Sequence, residues 1–304
     1  MQIAKTAQNA PMPDSYKSLV QRASRLKLSA FSIAEGMRSG SFRSMFKGHG
    51  IEFTGVRDYL PGDDIRSIDW NVTARMGKPY VKLFEENREL VVFLLVDNSE
   101  SMQSGFLSKN RFETAKEAAA LLAFAANQIN SPLGMAIFDG EITFSSSPKA
   151  GQMQLMTLLQ QLDNSQHSQT KGTALAGALQ GAYRLLKNRS LVVIISDFRS
   201  AGYEQHLAHL AAKHDVLALR ITDPSDTELP QAGYFSFQDP ESKIKRNFPL
   251  FSAAFLREWK KSGKDRSERF SNMCAKRGIF SINLSTKDDP AQVLERFFSA
   301  KEKR

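Results

Sequence analysis

The chain has 304 residues and carries 41 Lys+Arg against 32 Asp+Glu, a formal charge of +9. At 41% hydrophobic and 24% charged, its composition excludes disordered, collagen-like and low-complexity classes. A lone cysteine, Cys274, excludes an internal disulfide framework and fits a reducing compartment. No apolar run approaches the roughly 18–20 residues of a membrane span, and the N-terminus lacks a signal-peptide core, so a cytoplasmic location is expected.

Ser15–Arg38 has helical periodicity without proline, and residues 42–88 hold short apolar pieces between Gly, Pro and Asp, as in a small β-rich segment. Leu90–Val96 (LVVFLLV) is continuously apolar and β-branched, the pattern of a strand covered on both faces. A polar loop, Asp97–Ser108, leads to a helix over Arg111–Ile129. Asp139-Gly140, between Leu133–Phe138 and Glu141–Phe144, is a two-residue hairpin signal. Helices are predicted over Gly151–Leu162 and Thr173–Leu186, then a buried strand over Leu191–Ser196, a helix over Tyr203–Lys213 and a strand over Val216–Ile221. Four prolines between 223 and 249 mark an irregular insertion with one short strand near Tyr234–Phe237. A long basic amphipathic helix over Phe251–Arg277, a strand over Gly278–Leu284 and a helix over Pro290–Phe298 complete the chain. The rhythm predicts an α/β fold, a doubly wound and mostly parallel sheet with helices on both faces. The expected domains are a helical arm (1–40), a β-rich segment (41–88) and an α/β domain (89–304) with an insertion at about 223–249.

Charge follows the same division. Residues 1–88 carry 14 basic and 9 acidic side chains, 89–241 carry 11 and 16, and 242–304 carry 16 and 7. The cationic flanks suit an acidic partner, an anionic lipid surface at the periphery or nucleic acid, or simply form solvated helix faces.

The chemistry gathers at strand ends. Asp97-Asn-Ser99-Glu-Ser101 follows the first buried strand and offers a carboxylate and two hydroxyls, a hard oxygen set suited to Mg²⁺, Mn²⁺ or Ca²⁺. Asp197 ends the second buried strand, and Thr173 opens a helix after Lys171-Gly172. In doubly wound sheets ligands bind in the crevice beyond the carboxyl ends of the strands, where these segments are expected to meet. Taken singly, each residue also serves as a cap or turn former.

Asp97-x-Ser99-x-Ser101, Gly172-Thr173 and Ile195-Ser196-Asp197 resemble the metal-ion-dependent adhesion site of von Willebrand factor type A domains. The resemblance implies that Ser99, Ser101 and Thr173 ligate a divalent cation with Asp97 and Asp197, directly or through water. An acidic residue of a protein partner would complete the shell. Upstream, Gly48-His-Gly50-Ile-Glu-Phe53, Arg57-Asp-Tyr59-Leu-Pro-Gly62-Asp63-Asp-Ile-Arg66-Ser-Ile68-Asp69-Trp70 and Ala74-Arg75 are similar to the signature of the bacterial domain of unknown function 58 family. Thr222–Pro230 and Gly233 resemble that family's continuation. The family resemblance implies an adaptor or maturation role beside a MoxR-type AAA+ ATPase.

Other constellations are weaker. Arg57, Arg66 and Arg75 beside Asp58, Asp63 and Asp69 read as a partly buried ion-pair network. His206, His209 and His214 lack a completing ligand and read as exposed or capping residues. Cys274 reads as a packing residue, and Asp63-Asp64 and Asp288-Asp289 as caps. Phosphate-loop and nucleophile-elbow motifs are absent, Gly48-x-Gly50 neither follows a buried strand nor opens a helix, and no nucleophile is set beside a base. The expected function is divalent-cation-dependent protein binding, without catalysis, a small-molecule substrate or specific nucleic-acid recognition. A cation-independent scaffold and a metal-assisted hydrolase using Glu100 are the alternatives.

Overall fold

The computed structural model describes residues 29–38, 52–85, 90–105, 109–165, 175–229, 234–238, 245–249 and 252–299. Two compact units divide the chain: one spans 45–90, and the other combines the segments before and after it.

In the larger unit a six-stranded sheet runs in the order β10-β7-β6-β3-β4-β5. Its strands are β3 (Val92–Asp97), β4 (Leu133–Asp139), β5 (Glu141–Lys149), β6 (Leu191–Ser196), β7 (Asp215–Thr222) and β10 (Phe280–Ser285). All neighbours are parallel except β5, which returns antiparallel from β4 through the Asp139-Gly140 turn. Every residue of β3, β4 and β6 is buried, as their unbroken apolar runs require of strands covered on both sides. Chain order along the sheet reverses between β3 and β6, which lie side by side with Val96 opposite Ile195. This is the topological switch point of a doubly wound fold.

Successive residues of β3 feed opposite faces. Phe93 and Leu95 join a core with α5 (Leu175–Leu185), α6 (Glu204–Lys213) and α7 (Ala253–Ala275), contributed by Leu175, Leu179, Leu207, Leu210, Phe270 and Cys274. Cys274 is thus a packing residue, its thiol pushed up to about 11 by burial. The other face is covered by α3 (Arg111–Gln128), whose buried Ala115, Ala118, Ala119, Ala123 and Ala126 let it lie close to the strands. Asn110 caps α3, its side-chain oxygen accepting the Glu113 N–H at 2.7 Å. Helices α4 (Gln152–Asn164) and α8 (Pro290–Ser299) pack beside α3. Residues 29–38 form a helix, α1, that packs on α8, where a Cβ on Gly36 would come within 2.7 Å of the Phe298 Cβ.

Two expectations need correction here. The insertion after β7 carries two strands rather than one, β8 (Tyr234–Gln238) and β9 (Lys245–Pro249), paired antiparallel. The cationic, proline-ended sequence of β9 has no apolar alternation to betray it. His214 is the capping residue at the end of α6, its backbone N–H donating to the Leu210 carbonyl, but it is not exposed: it is 1% exposed, beside Tyr183, and burial lowers its pKa to about 4.

The smaller unit pairs β1 (Glu52–Asp58) antiparallel with β2 (Tyr80–Glu85), joined through α2 (Trp70–Met76). The expected charge network is not formed. Arg57 donates two hydrogen bonds to Asp63, at 2.6 and 2.7 Å, but among the described residues Arg66 and Arg75 make no ion pair. Asp69 instead caps α2 and Asp64 caps the turn at Ile65–Ser67, because short acidic side chains satisfy free backbone N–H groups more cheaply than distant arginines. The Gly48–Gly50 stretch lies outside the described residues.

Candidate metal centre

β3 and β6 deliver their last residues to one crevice. Asp97, Asn98 and Ser99 are essentially inaccessible, as are Ser196 and Asp197. One Asp97 oxygen, Oδ1, accepts the Ser99 backbone N–H at 2.9 Å, which bends the chain sharply out of the strand. The other, Oδ2, accepts the Ser196 hydroxyl at 2.5 Å. Ser99 and Ser101 place their hydroxyl oxygens 3.2 Å apart as the chain turns into the short 3₁₀ helix Glu100–Gln103.

Asp197 brings the second carboxylate. Its Oδ1 accepts the Arg199 backbone N–H at 3.2 Å. Its Oδ2 is buried and accepts no hydrogen bond among the described residues; Arg199 Nε stands 3.5 Å away. Burial first, and the Asp197 charge second, push the Asp97 carboxyl up to about 7, against the pull of donors from Ser196 and Ser99. A cation among these oxygens would relieve that cost.

The residues present therefore fit a hard divalent ion: two carboxylates, one of them with a buried oxygen that accepts no hydrogen bond and faces the Arg199 guanidinium, and paired hydroxyls. Of the five residues expected from sequence, Asp97, Ser99, Ser101 and Asp197 lie on the adjoining ends of β3 and β6. Thr173 lies outside the described residues. Among the described residues no group of three or more His, Cys, Asp or Glu is arranged for a metal, so this set depends on its hydroxyls.

Three residues support the crevice: Ser196, part of the motif read from sequence but given no role there, and Phe198 and Arg111, which the sequence reading did not single out. Ser196 ties the two strand ends together. Phe198, with φ 53°, holds the left-handed backbone that turns Asp197 inward, its N–H bound to Ser196 Oγ at 3.0 Å. Such a conformation costs a non-glycine residue about 1–3 kcal/mol and marks a functional turn. Contacts between the Phe198 ring and those of Phe270 and Tyr203, at 4.7 and 5.8 Å between centroids, hold it. Arg111, 2% exposed, donates to the Ser101 and Ser104 carbonyls at 3.3 and 3.1 Å and to Asp226 at 2.6 Å. It pins the hydroxyl-bearing loop from beneath. The apolar neighbours of Phe198 and the N-terminal position of Arg111 in its helix gave no signal of these roles.

The chain thus forms an α/β protein of the doubly wound class, with an oxygen-rich crevice at the switch point of its sheet. The chain belongs to the family described as Protein of unknown function DUF58, which matches residues 55–269. An uncharacterized protein of Mycobacterium bovis is 33% identical over 228 residues, covering 74% of this chain and 72% of its own. One of Mycobacterium avium is 39% identical over 77 residues, 25% of this chain and 46% of that one. Among solved structures, an aerotolerance-related membrane protein from Bacteroides fragilis, carrying multiple mutations to serine, is similar with a TM-score of 0.47 and 20% identity. It covers 71% of this chain and 100% of that one. A von Willebrand factor type A protein from Catenulispora acidiphila follows with a TM-score of 0.39 and 13% identity, covering 74% and 44%. No helix among the described residues is long and apolar enough to cross a membrane.

Proposed function

We propose that this protein is a divalent-cation-dependent protein-binding module, holding Mg²⁺ or a similar ion through Asp97, Ser99, Ser101, Thr173 and Asp197. The observation that carries the reading is the buried Asp197 Oδ2, which accepts no hydrogen bond beside a carboxyl that burial and a like charge already strain. The ion supplies positive charge and an open coordination position that a partner's Asp or Glu can fill. Without it, a crevice walled by Asp97 and Asp197 repels an acidic residue. Ser99 and Ser101 are set to adjust: their hydroxyls can turn their lone pairs inward while backbone contacts hold the loop.

The partner we propose is a MoxR-type AAA+ ATPase in the cytoplasm, on the strength of the family resemblance. Binding is favoured over catalysis by the position of the one buried histidine among the described residues. His214 precedes β7 and so lies at the amino edge of the parallel sheet, away from Ser99 and Ser101 at the carboxyl edge. The ATPase should co-purify with the protein in Mg²⁺ and be released by chelator or by Ser99→Ala or Thr173→Ala. Retention under all three conditions would remove the cation from the mechanism.

A second reading, a cation-independent scaffold, has one observation in its favour: both Asp97 oxygens already accept hydrogen bonds within the protein. It predicts the same thermal stability with Mg²⁺ and with chelator.

A further inference from the structure

A second cavity opens on the far side of Phe198, between α7, the end of β7 and the start of α6. It encloses about 930 Å³. Its walls combine the aromatic rings of Phe198 and Phe270 with Arg199, Arg220, Arg266 and Arg269. Its lining carries these four arginines against three carboxylates, Glu204, Asp223 and Asp226. Asp226 is already taken by Arg111 and Arg199, and its other oxygen accepts the Asp223 N–H at 2.9 Å. Asp223 accepts from Ser225 and Thr286. Arg220, Arg266 and Arg269 make no ion pair among the described residues, although the Asp226 charge faces Arg220 and Arg266 and the Asp197 charge faces Arg220.

Arg220 is the deciding residue. It projects from the carboxyl-terminal half of β7, is only 9% exposed, and lies 5.3 Å over the Phe270 ring. Its Nη1 is buried with no hydrogen-bond partner. A guanidinium removed from water and left with an idle donor costs stability, and such groups are ordinarily paired. An anion reaching it would supply the missing acceptor. Arginine forks match phosphate oxygens two at a time, and a doubly charged phosphate can engage several at once, where one carboxylate engages one. A bare phosphate would leave most of the cavity empty, whereas one attached to an organic body would also cover the aromatic wall. The volume is that of a small-ligand site.

We propose that this cavity binds a phosphate-bearing organic small molecule of nucleotide size, its phosphate on Arg220, Arg266 and Arg269 and its body against Phe198 and Phe270. The site adjoins the cation crevice, sharing Phe198 and Arg199 with the turn that carries Asp197, but its phosphate-binding arginines are none of the proposed cation ligands.

The test uses the full chain in chelator at fixed ionic strength, titrated calorimetrically with ADP, with inorganic phosphate, and with a polyglutamate peptide. ADP should bind saturably and more tightly than phosphate. Arg266→Gln, an exposed substitution, should weaken ADP by at least about tenfold, the loss of one charged fork, and Arg220→Gln should abolish it. Ser99→Ala should leave it unchanged. Absence of ADP binding, ADP binding indifferent to Arg266→Gln and Arg269→Gln, or polyglutamate binding tighter than ADP would each overturn the proposal. The last would mark the face as one for acidic polypeptides.

Discussion

The Ser196 hydroxyl donates a 2.5 Å hydrogen bond to Asp97 Oδ2, joining the ends of two strands separated by 99 positions in the chain. The same Ser196 oxygen accepts the Phe198 N–H, so one side chain holds both acidic turns of the crevice. Ser196→Ala should leave a buried acceptor and a buried donor unmet and destabilise the protein by about 1–3 kcal/mol. Chemical denaturation would read this directly, and a change below a few tenths would show the bond to be incidental.

Asp226 sits between Arg111 and Arg199. Arg111 is almost wholly buried, so Asp226→Ala strands a charge in the interior and should cost about 3–5 kcal/mol. Because Arg111 also grips the Ser101 and Ser104 carbonyls, the substitution should loosen the hydroxyl-bearing loop. Faster amide exchange at residues 99–104, beyond that of the rest of the sheet, is the expected signature.

How much of this was legible in the sequence depended on range. The runs LVVFLLV and LVVIIS announce buried parallel strands, and the residues that end them, Asp97 and Asp197, announce the crevice. Local order of this kind needs only periodicity and strand ends. The Arg111–Asp226 pair, 115 residues apart, has no local trace. Neither has the burial of His214, which depends on Tyr183 packing from another helix. In the smaller unit, alternating Arg and Asp suggested a network, of which the Arg57–Asp63 pair forms while Asp69 turns to backbone N–H groups; Asp64, expected as a cap, is one. Composition names the charges; the backbone decides which are free to pair.

Two buried groups set opposing pH trends. Asp97, raised to about 7 when folded against about 3.9 unfolded, contributes stability that is complete below about pH 4 and lost as pH rises towards 7. His214, lowered to about 4 against about 6.5 unfolded, contributes stability present above about 6.5 and lost as pH falls towards 4. In chelator, Asp97→Asn should therefore gain on the wild type in melting temperature as pH rises from roughly 5 to 7. His214→Phe should gain on it as pH falls through the same range. Differences that do not vary with pH would contradict both assignments.

Gly263 lies in α7 where a Cβ would stand 2.3 Å from the Asp226 carbonyl oxygen and 2.8 Å from the Thr227 methyl. Gly263→Ala must push α7 off the turn at Pro224–Asp226, at a cost of about 1–3 kcal/mol despite alanine's better helix propensity. A stabilised variant in thermal denaturation would mean that the helix has room to move.

If Asp97 and Asp197 hold a divalent cation with the hydroxyls of Ser99, Ser101 and Thr173, its binding must depend on each of them. Calorimetric titration of Mg²⁺ or Mn²⁺ into the chelator-stripped protein at about pH 8, where Asp97 is ionised, tests it most directly. The account predicts one saturable site in the wild type, lost in Asp97→Asn and weakened at least about tenfold in Ser99→Ala and Thr173→Ala, with circular dichroism unchanged. A titration that shows no binding, or one that is the same in wild type and Asp97→Asn, would contradict it.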